Sequence, residues 1–239
     1  QYYFDYPPAA PLARFILIDP ALYRGSAKAN YCTSGDTANC NWLKARIDEA
    51  KSQGLWVVVG MHKNCLTMGE KSCEIGAPLL NALVERKVDL ILQGHDHGYQ
   101  RSKQLSLSGS CSAIAANAYN AGCVADDGKD NTYTRGSGTV LTIGANVGRS
   151  SYNLSTSDPE APYFATWMDP SLNSKGFLKF TVSQDSIDAQ FVAGTGSYAD
   201  HFTIGGTAAP TPTPTIGAAT ATPAPPTPTA TSTATATSL

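Results

Sequence analysis

Three of the four histidines in this chain follow short apolar runs that end in glycine. His62 comes after WVVVG and one methionine, and His95 and His97 come after VDLILQG. Runs of this length and composition are typical of buried strands. If the backbone stays extended past the glycine, the side chains of His95 and His97 point to the same side, because side chains alternate along an extended chain. Imidazole is the commonest side-chain ligand of metal ions, so the pattern predicts a metal site formed by His62, His95 and His97.

The residues after the histidine pair continue the same alternation. Tyr99 and Arg101 would share the side of the histidines, where an arginine can bind a phosphate through paired donors. We therefore name Tyr99 and Arg101 as candidate substrate-binding residues. Asp96, between the two histidines, should face away from the ligand. We expect it either to orient a neighbouring group or to lie in solvent.

The segments between these motifs predict how the histidines are brought together. A helix from Pro78 to Arg86 joins the two apolar runs, so the runs should form parallel strands with a right-handed crossover. Ligands of open α/β sheets bind beyond the carboxyl ends of such strands. An earlier helix, capped at Asn39 or Asn41 and ending near Gln53, precedes the first run. Later, the alternating segments FLKFTV, SIDAQFV and HFTI predict an antiparallel meander.

A resemblance to a known family rests on these motifs. GHDHGYQR resembles the GHxHxYxR signature of the calcineurin-like metallophosphoesterases, especially their purple acid phosphatase-like branch. GMH resembles the single-histidine motif that precedes that signature in the family. YYFDY, FILID, NWLKARIDEAK and GTVLTIGANVG are similar to further segments, in the family's order. The resemblance covers residues 1 to about 206 and implies an α/β fold, a β-sandwich flanked by helices in α-β-β-α layers.

The resemblance also implies a reaction. Members of the family hydrolyse phosphate esters at a centre of two divalent or trivalent metal ions, which here would be Zn, Fe or Mn. By this likeness, His62 and His95 would ligate one metal ion and His97 the other. The substrate would be a phosphate ester.

The chain departs from the family in one respect. The earlier Asp-x-His, Gly-Asp and Gly-Asn-His motifs, which supply the carboxylates, the asparagine and the leaving-group histidine, are not found in the sequence. Gly35-Asp36 stands on the wrong side of the family order, and we interpret it as part of a loop. We therefore expect the C-terminal half of a phosphoesterase domain with one sheet incomplete. The isolated chain should have little or no activity, and the missing N-terminal half of the domain is a candidate partner.

Two other hypotheses stay open at the level of sequence. The chain could be a secreted binding or surface-attachment module built on a degenerate phosphoesterase fold. It could also be one part of a split enzyme whose other half is a separate polypeptide. The presence or absence of the three missing motifs upstream of Gln1 distinguishes the first hypothesis from an enzyme.

The six cysteines predict an oxidising compartment. They occur as three close pairs in loop-like sequence, and zinc-type CxxC spacing is absent. Several connectivities are possible, and we predict that sequence neighbours pair. The expected disulfides are Cys32–Cys40, Cys65–Cys73 and Cys111–Cys123. With them we expect an extracellular protein.

Composition limits the remaining partners. The formal net charge of -2 gives no electrostatic reason to expect binding to nucleic acid. No apolar run approaches the roughly 18 residues of a membrane span. Residues 207–239 consist almost entirely of Thr, Ala, Pro and Ser, and predict a disordered linker after a domain of residues 1–206.

Overall fold

A computed structural model describes residues 1–21, 23–24, 27–28, 31–33 and 37–206. The predicted loop at Gly35-Asp36 and the predicted linker at 207–239 lie outside these residues. The strands are, in chain order, β1 Tyr2–Tyr6, β2 Ala13–Leu17, β3 Tyr23–Arg24, β4 Ala27–Lys28, β5 Trp56–Gly60, β6 Leu90–Gln93, β7 Tyr99–Ser102, β8 Gln104–Leu105, β9 Val124–Asp126, β10 Thr132–Thr134, β11 Val140–Gly144, β12 Phe164–Trp167, β13 Lys175–Val182, β14 Ser186–Thr195 and β15 His201–Gly205. The helices are α1 Thr37–Ser52 and α2 Ala77–Glu85.

The larger sheet has seven strands in the order β1-β2-β5-β6-β11-β7-β12. Its four central strands, β2, β5, β6 and β11, run parallel to their neighbours in that group. The predicted parallel pair of histidine-bearing strands is thus confirmed, because Val58 pairs with Leu90 and Gly60 with Leu92. The carboxyl ends of all four strands lie at one edge of the sheet.

The two helices cover one face of this sheet. Leu43 and Ile47 of α1 and Leu79 and Leu83 of α2 pack in one core cluster with alternate strand residues. Val57 and Val59 belong to that cluster, whereas Trp56 and Val58 point to the other face, as the two-residue period of a strand requires. The predicted helices are confirmed, with ends that shift by a few residues.

A four-stranded sheet, ordered β10-β15-β14-β13, covers part of the opposite face. Strands β13, β14 and β15 form the predicted antiparallel meander. Apolar side chains such as Ile187, Phe202 and Ile204 fill the space between the sheets. The described residues therefore form a mixed α/β fold of two packed sheets and two α-helices, and the expected α-β-β-α layering stays a prediction.

The disulfides pair as predicted. Cys32 bonds Cys40, Cys65 bonds Cys73, and Cys111 bonds Cys123. In the parts of the chain that the structure describes, the helices fall short of the length and apolarity that a bilayer span requires.

Candidate metal centre

The parallel strands of the larger sheet open at their carboxyl ends into a shallow depression. The residues that line it come from the ends of β2, β5, β6 and β11 and the turns that follow: Leu17, Ile18, Gly60, Met61, His62, Leu92, Gln93, Gly94 and Gly144. This is the edge at which open α/β sheets bind ligands.

His62 and His95 meet at this edge. The Nε2 atom of His62 lies 3.1 Å from the Nδ1 atom of His95, and the two rings meet edge to face with centroids 4.9 Å apart. Two nitrogen ligands at the usual distance from a tetrahedral zinc-like ion are about 3.3 Å apart. The two imidazoles are therefore spaced as a pair of ligands to one ion.

The backbone that presents His95 is a tight turn rather than the extended chain we expected. His95 has a φ of 66°, and the Asp96 amide donates to the Gly94 carbonyl at 2.8 Å. This three-residue pattern is a γ-turn. The Gly94 amide also donates to the His62 carbonyl at 3.0 Å. The condition that the chain stays extended past Gly94 is thus not met at His95, whereas Tyr99 and Arg101 lie in the extended strand β7.

Glu74 is the residue of this site that the sequence did not reveal. Its Oε1 atom lies 2.8 Å from Nε2 of His95, and its Oε2 atom pairs with Nζ of Lys63. The Lys63 ammonium, and then His95, hold the pKa of Glu74 down at about 2. An ionised carboxylate only accepts hydrogen bonds, so His95 must carry its proton on Nε2. In the neutral ring, the Nδ1 lone pair then faces His62.

The electrostatics favour a neutral His62. Desolvation lowers the pKa of the His62 imidazole below its ordinary value of 6.5, and the positive charge of Lys63 contributes to the same shift. Metal binding requires the neutral form of imidazole. The site thus holds His62 in the protonation state that a metal ligand needs.

Gln93 adds an amide at the same edge. Its side-chain Nε2 donates to the Lys63 carbonyl at 3.0 Å. Its Oε1 is buried and has no hydrogen-bond partner among the residues that the structure describes. A buried acceptor of this kind favours a bound group at this edge, since buried polar atoms are normally satisfied.

His97 lies beside the pair but makes a different contact. Its ring stacks on Tyr152 with centroids 4.1 Å apart, and its carbonyl accepts the Tyr152 amide at 2.8 Å. Within the described ranges, no group of three or more His, Cys, Asp or Glu residues is arranged to hold a metal ion. The structure thus brings His62 and His95 together, and a metal role for His97 stays a prediction.

Asp96 is buried, with 1% of its surface exposed, so the prediction that it lies in solvent was wrong. Its carboxylate accepts hydrogen bonds from the Thr67 hydroxyl at 2.5 Å and from the Glu70 and Lys71 amides at 3.1 and 3.3 Å. The alternative expectation, that Asp96 orients neighbouring groups, agrees with these contacts.

Tyr99 and Arg101 lie in the interior, away from the depression. Arg101 donates from Nε and Nη2 to the Asp200 carboxylate at 2.8 and 3.0 Å, and its remaining partners include Asn131 and Tyr133. The Tyr99 hydroxyl donates to the same carboxylate at 2.5 Å. Both side chains are at most 1% exposed. The observed contacts are structural, and the substrate role predicted for Tyr99 and Arg101 stays a prediction without geometric support.

Comparisons with known proteins bear on the fold. No protein-family model and no curated protein sequence matches this chain. The chain is similar to the structure of a purple acid phosphatase from yellow lupin (Lupinus luteus) seeds, with a TM-score of 0.59 and 15% sequence identity over 85% of this chain and 32% of that one. It is also similar to PhoD, with a TM-score of 0.44 and 13% identity over 83% of this chain and 40% of that one.

The chain thus spans about a third of the length of the lupin phosphatase. At this level of identity the likeness shows a shared fold and no more. The described residues form a mixed α/β fold that is similar to that phosphatase structure, in agreement with the expected α/β class.

Proposed function

We propose that this chain carries the imidazole part of the active site of a metal-dependent phosphoester hydrolase. The observation that carries the proposal is the 3.1 Å separation of His62 Nε2 and His95 Nδ1 at the carboxyl ends of two adjacent parallel strands. The fold likeness to a purple acid phosphatase supports the same reaction class.

In this proposal, His62 and His95 bind one ion and His97 binds a second. Zn, Fe or Mn ions bound there supply Lewis-acid stabilisation of the phosphoryl oxygens of the ester. The chain's own residues hold the ligands: Glu74 lies within hydrogen-bond distance of Nε2 of His95, and desolvation lowers the pKa of His62. The direct role of Tyr99 and Arg101 in binding the substrate stays a prediction, because the contacts of both side chains are with Asp200 in the interior.

Two imidazoles do not complete a catalytic centre, since an ion of this type has four or more ligands. The remaining ligands and the proton donor for the leaving group would come from a segment outside this sequence. We therefore expect the isolated chain to have little or no hydrolase activity.

A part of the sandwich that the described residues leave uncovered supports this dependence on a further segment. Phe15 and Leu92 of the larger sheet and Phe180 and Val182 of β13 are only partly buried, and Phe4 is 44% exposed. Among the described strands, β1 pairs only with β2 and β13 only with β14. We propose that strands from the N-terminal half of the domain cover this surface, which we call the uncovered face (Phe4, Phe15, Leu92, Phe180 and Val182).

A binding experiment tests the metal assignment. Titration of the full chain with Co²⁺, followed by visible absorbance, should give saturable binding that weakens at least tenfold in His62→Ala and in His95→Ala. His201→Ala is the matched control, because His201 is the exposed fourth histidine and pairs with Asp188 on the other sheet. Equal effects of all three substitutions, or none from the first two, would contradict the proposal.

A second experiment tests the reaction. The chain alone should not cleave a chromogenic phosphate ester, and co-expression with a polypeptide that carries the three missing motifs should give cleavage that His95→Ala removes. Cleavage that survives His95→Ala contradicts the assigned site.

One observation favours the alternative of a binding module on a degenerate phosphoesterase fold. The described residues lack a group of three or more metal-ligating side chains. This alternative predicts no saturable Co²⁺ binding and no activity in the presence of the missing half. Under either function we propose an extracellular location, because three disulfides are typical of proteins in an oxidising compartment.

A further inference from the structure

The loop between Cys65 and Cys73, which we call the disulfide loop, is anchored by side chains from other parts of the chain. Asp96 accepts hydrogen bonds from the Thr67 hydroxyl and from two loop amides. Gln100 Oε1 accepts the Met68 amide at 2.8 Å, and Glu160 accepts the Thr67 amide at 2.9 Å. These three acceptors are at most 3% exposed, so they hold the loop from within the protein.

The loop delivers Glu74 to the histidine pair. Glu74 directly follows Cys73, and its amide donates to the Asn64 carbonyl at 3.1 Å. Cys65 is disulfide-bonded to Cys73. Glu74 is therefore tied to the segment that carries His62 at two points, through its backbone and through the neighbouring disulfide.

Each carboxylate oxygen of Glu74 has its own partner. Oε2 pairs with Lys63, and Oε1 accepts from Nε2 of His95 at 2.8 Å. The first contact keeps the carboxylate from turning away, and the second sets both the rotation of the imidazole and the nitrogen that carries its proton. A histidine that ligates a metal usually donates its other ring N–H to a carboxylate, a carbonyl or a water. Glu74 has that relation to His95.

We propose that Glu74 is a positioning residue of the metal centre, presented by the disulfide loop so that the Nδ1 lone pair of His95 faces Nε2 of His62 before any ion binds. The metal role of the two histidines rests on the function proposed above. The position of the proton on His95 does not depend on that function. The metal assignment and the proton assignment can therefore fail separately.

The first test measures metal affinity in the full chain. The Kd for Co²⁺ should rise roughly 10- to 100-fold in Glu74→Ala, and by less in Glu74→Gln, which retains a neutral acceptor. Glu70→Ala is the matched control, because Glu70 is an exposed acid of the same loop that contacts Asn153 and no histidine. An unchanged Kd in Glu74→Ala, or an equal change in Glu70→Ala, would overturn the proposal.

The second test reads the proton directly and needs no metal. A long-range ¹H–¹⁵N spectrum of the metal-free wild-type chain, recorded above the ordinary histidine pKa of about 6.5, should show His95 protonated at Nε2. The resonance is assigned by its loss in His95→Ala. Glu74→Ala should populate both tautomers, whereas a loss of stability alone would leave the folded-state tautomer unchanged.

A wild-type His95 that carries its proton on Nδ1 overturns the proposal, even if the Glu74 variants fail to fold. A wild-type chain that binds no Co²⁺ but has the Nε2 tautomer, lost in Glu74→Ala, contradicts the proposed function and supports the positioning by Glu74.

Discussion

His95 holds a backbone conformation that side-chain-bearing residues rarely adopt. Its φ of 66° lies in the left-handed region, where a non-glycine residue costs about 1–2 kcal/mol. The turn persists because Asp96, the next residue, is buried and hydrogen-bonded to the disulfide loop. A fold that retains this cost in order to aim one imidazole is typical of functional sites.

This backbone strain predicts which of two substitutions at His95 is the more stable. His95→Gly should be more stable than His95→Ala by about 1 kcal/mol in urea unfolding, because glycine adopts a positive φ freely and both variants lose the imidazole. His62 is the matched position, since its φ is not positive, and there the glycine variant should be the less stable of the two. A His95→Ala variant as stable as His95→Gly would show that the turn is not strained.

At the residue level, the sequence predicted which histidines are neighbours better than it predicted how their side chains are oriented. The two glycine-terminated strands predicted that His62 and His95 would be neighbours, because parallel strands align their carboxyl ends. Glu74 was missed because its position depends on the Cys65–Cys73 disulfide, which holds the end of the loop against the segment that follows β5. The predicted pairing of those cysteines was the signal that could have found it.

Arg101 and Asp200 connect the two sheets of the sandwich. Arg101 is in β7 of the larger sheet, and Asp200 directly precedes β15 of the smaller one. Their ion pair is almost fully buried, with side chains 1% and 7% exposed. Burial and the Asp200 carboxylate also raise the pKa of Tyr99, whose hydroxyl stays protonated and donates to that carboxylate.

Removing one partner of this pair should destabilise the fold. Arg101→Met should lower the free energy of unfolding by about 3–5 kcal/mol, because it leaves the Asp200 charge buried and unpaired. Arg149→Met, at an exposed arginine, should change it by less than about 0.5 kcal/mol. Urea unfolding measures both. If Arg101→Met keeps wild-type stability but impairs substrate binding in the completed enzyme, the predicted substrate role of Arg101 is supported instead.

Two disulfides, Cys65–Cys73 and Cys111–Cys123, close loops of similar length, so the effects of removing them can be compared. Replacing Cys65 and Cys73 with serine, or Cys111 and Cys123, should in each case cost about 2–3 kcal/mol through the unfolded chain's added entropy. Only the first pair adjoins Glu74, so only the first replacement should also weaken Co²⁺ binding. Urea unfolding and the Co²⁺ titration separate the two effects. Equal losses of affinity in both variants would mean that the disulfide loop has no special relation to the histidines.

Helices and strands could be predicted from the sequence where the periodic pattern of apolar residues extended over many residues. Helices α1 and α2 and the meander strands have enough turns or alternations to identify the buried face. Residues 103–137 are rich in Ser, Gly, Asn and Asp and have little periodicity, yet they contribute β10, which pairs with β15 in parallel over three residues. A strand this short has no period of its own, and its pairing depends on a partner about seventy residues later in the chain, as the register of Thr132 with Thr203 shows.

At the scale of the whole molecule, one buried carboxyl group links distant segments and makes stability depend on pH. Glu160 accepts the amides of Thr67 and Asn117. Burial raises the pKa of Glu160 above its ordinary value of 4.5, so the folded state binds this proton more tightly than the unfolded state does. Its contribution is therefore fully present below pH 4.5 and is lost as the pH rises through the folded-state pKa.

This link between protonation and folding predicts how the stability difference between the wild type and Glu160→Gln changes with pH. The free energy of unfolding of the wild type minus that of Glu160→Gln should decrease as the pH is raised from 4.5 through the folded-state pKa. Urea unfolding of both proteins across that range provides the measurement. A difference that is constant, or that increases with pH, would show that burial does not raise the pKa of Glu160.

The uncovered face is the surface to which we expect the missing half of the domain to bind. Strand β13 presents opposite faces at alternate residues: Phe180 and Val182 point toward the larger sheet, and Phe177 is 56% exposed on the other side. Free strand edges bind further strands through backbone hydrogen bonds, and apolar side chains beside the edge determine which strand fits. The sequence predicted an incomplete sheet from the missing motifs, but it could not identify which apolar residues would be left without cover.

Two substitutions on β13 test whether the missing half binds there. With the co-expressed N-terminal half, Phe180→Lys should abolish co-purification, because a charge would be buried between the layers. Phe177→Lys should leave co-purification intact, since it introduces the same lysine on the same strand but on the outer face. In the wild-type complex, amide hydrogen exchange should slow along β1 and β13 relative to the chain alone. If Phe177→Lys disrupts the complex and Phe180→Lys does not, the missing half binds the outer face of the smaller sheet.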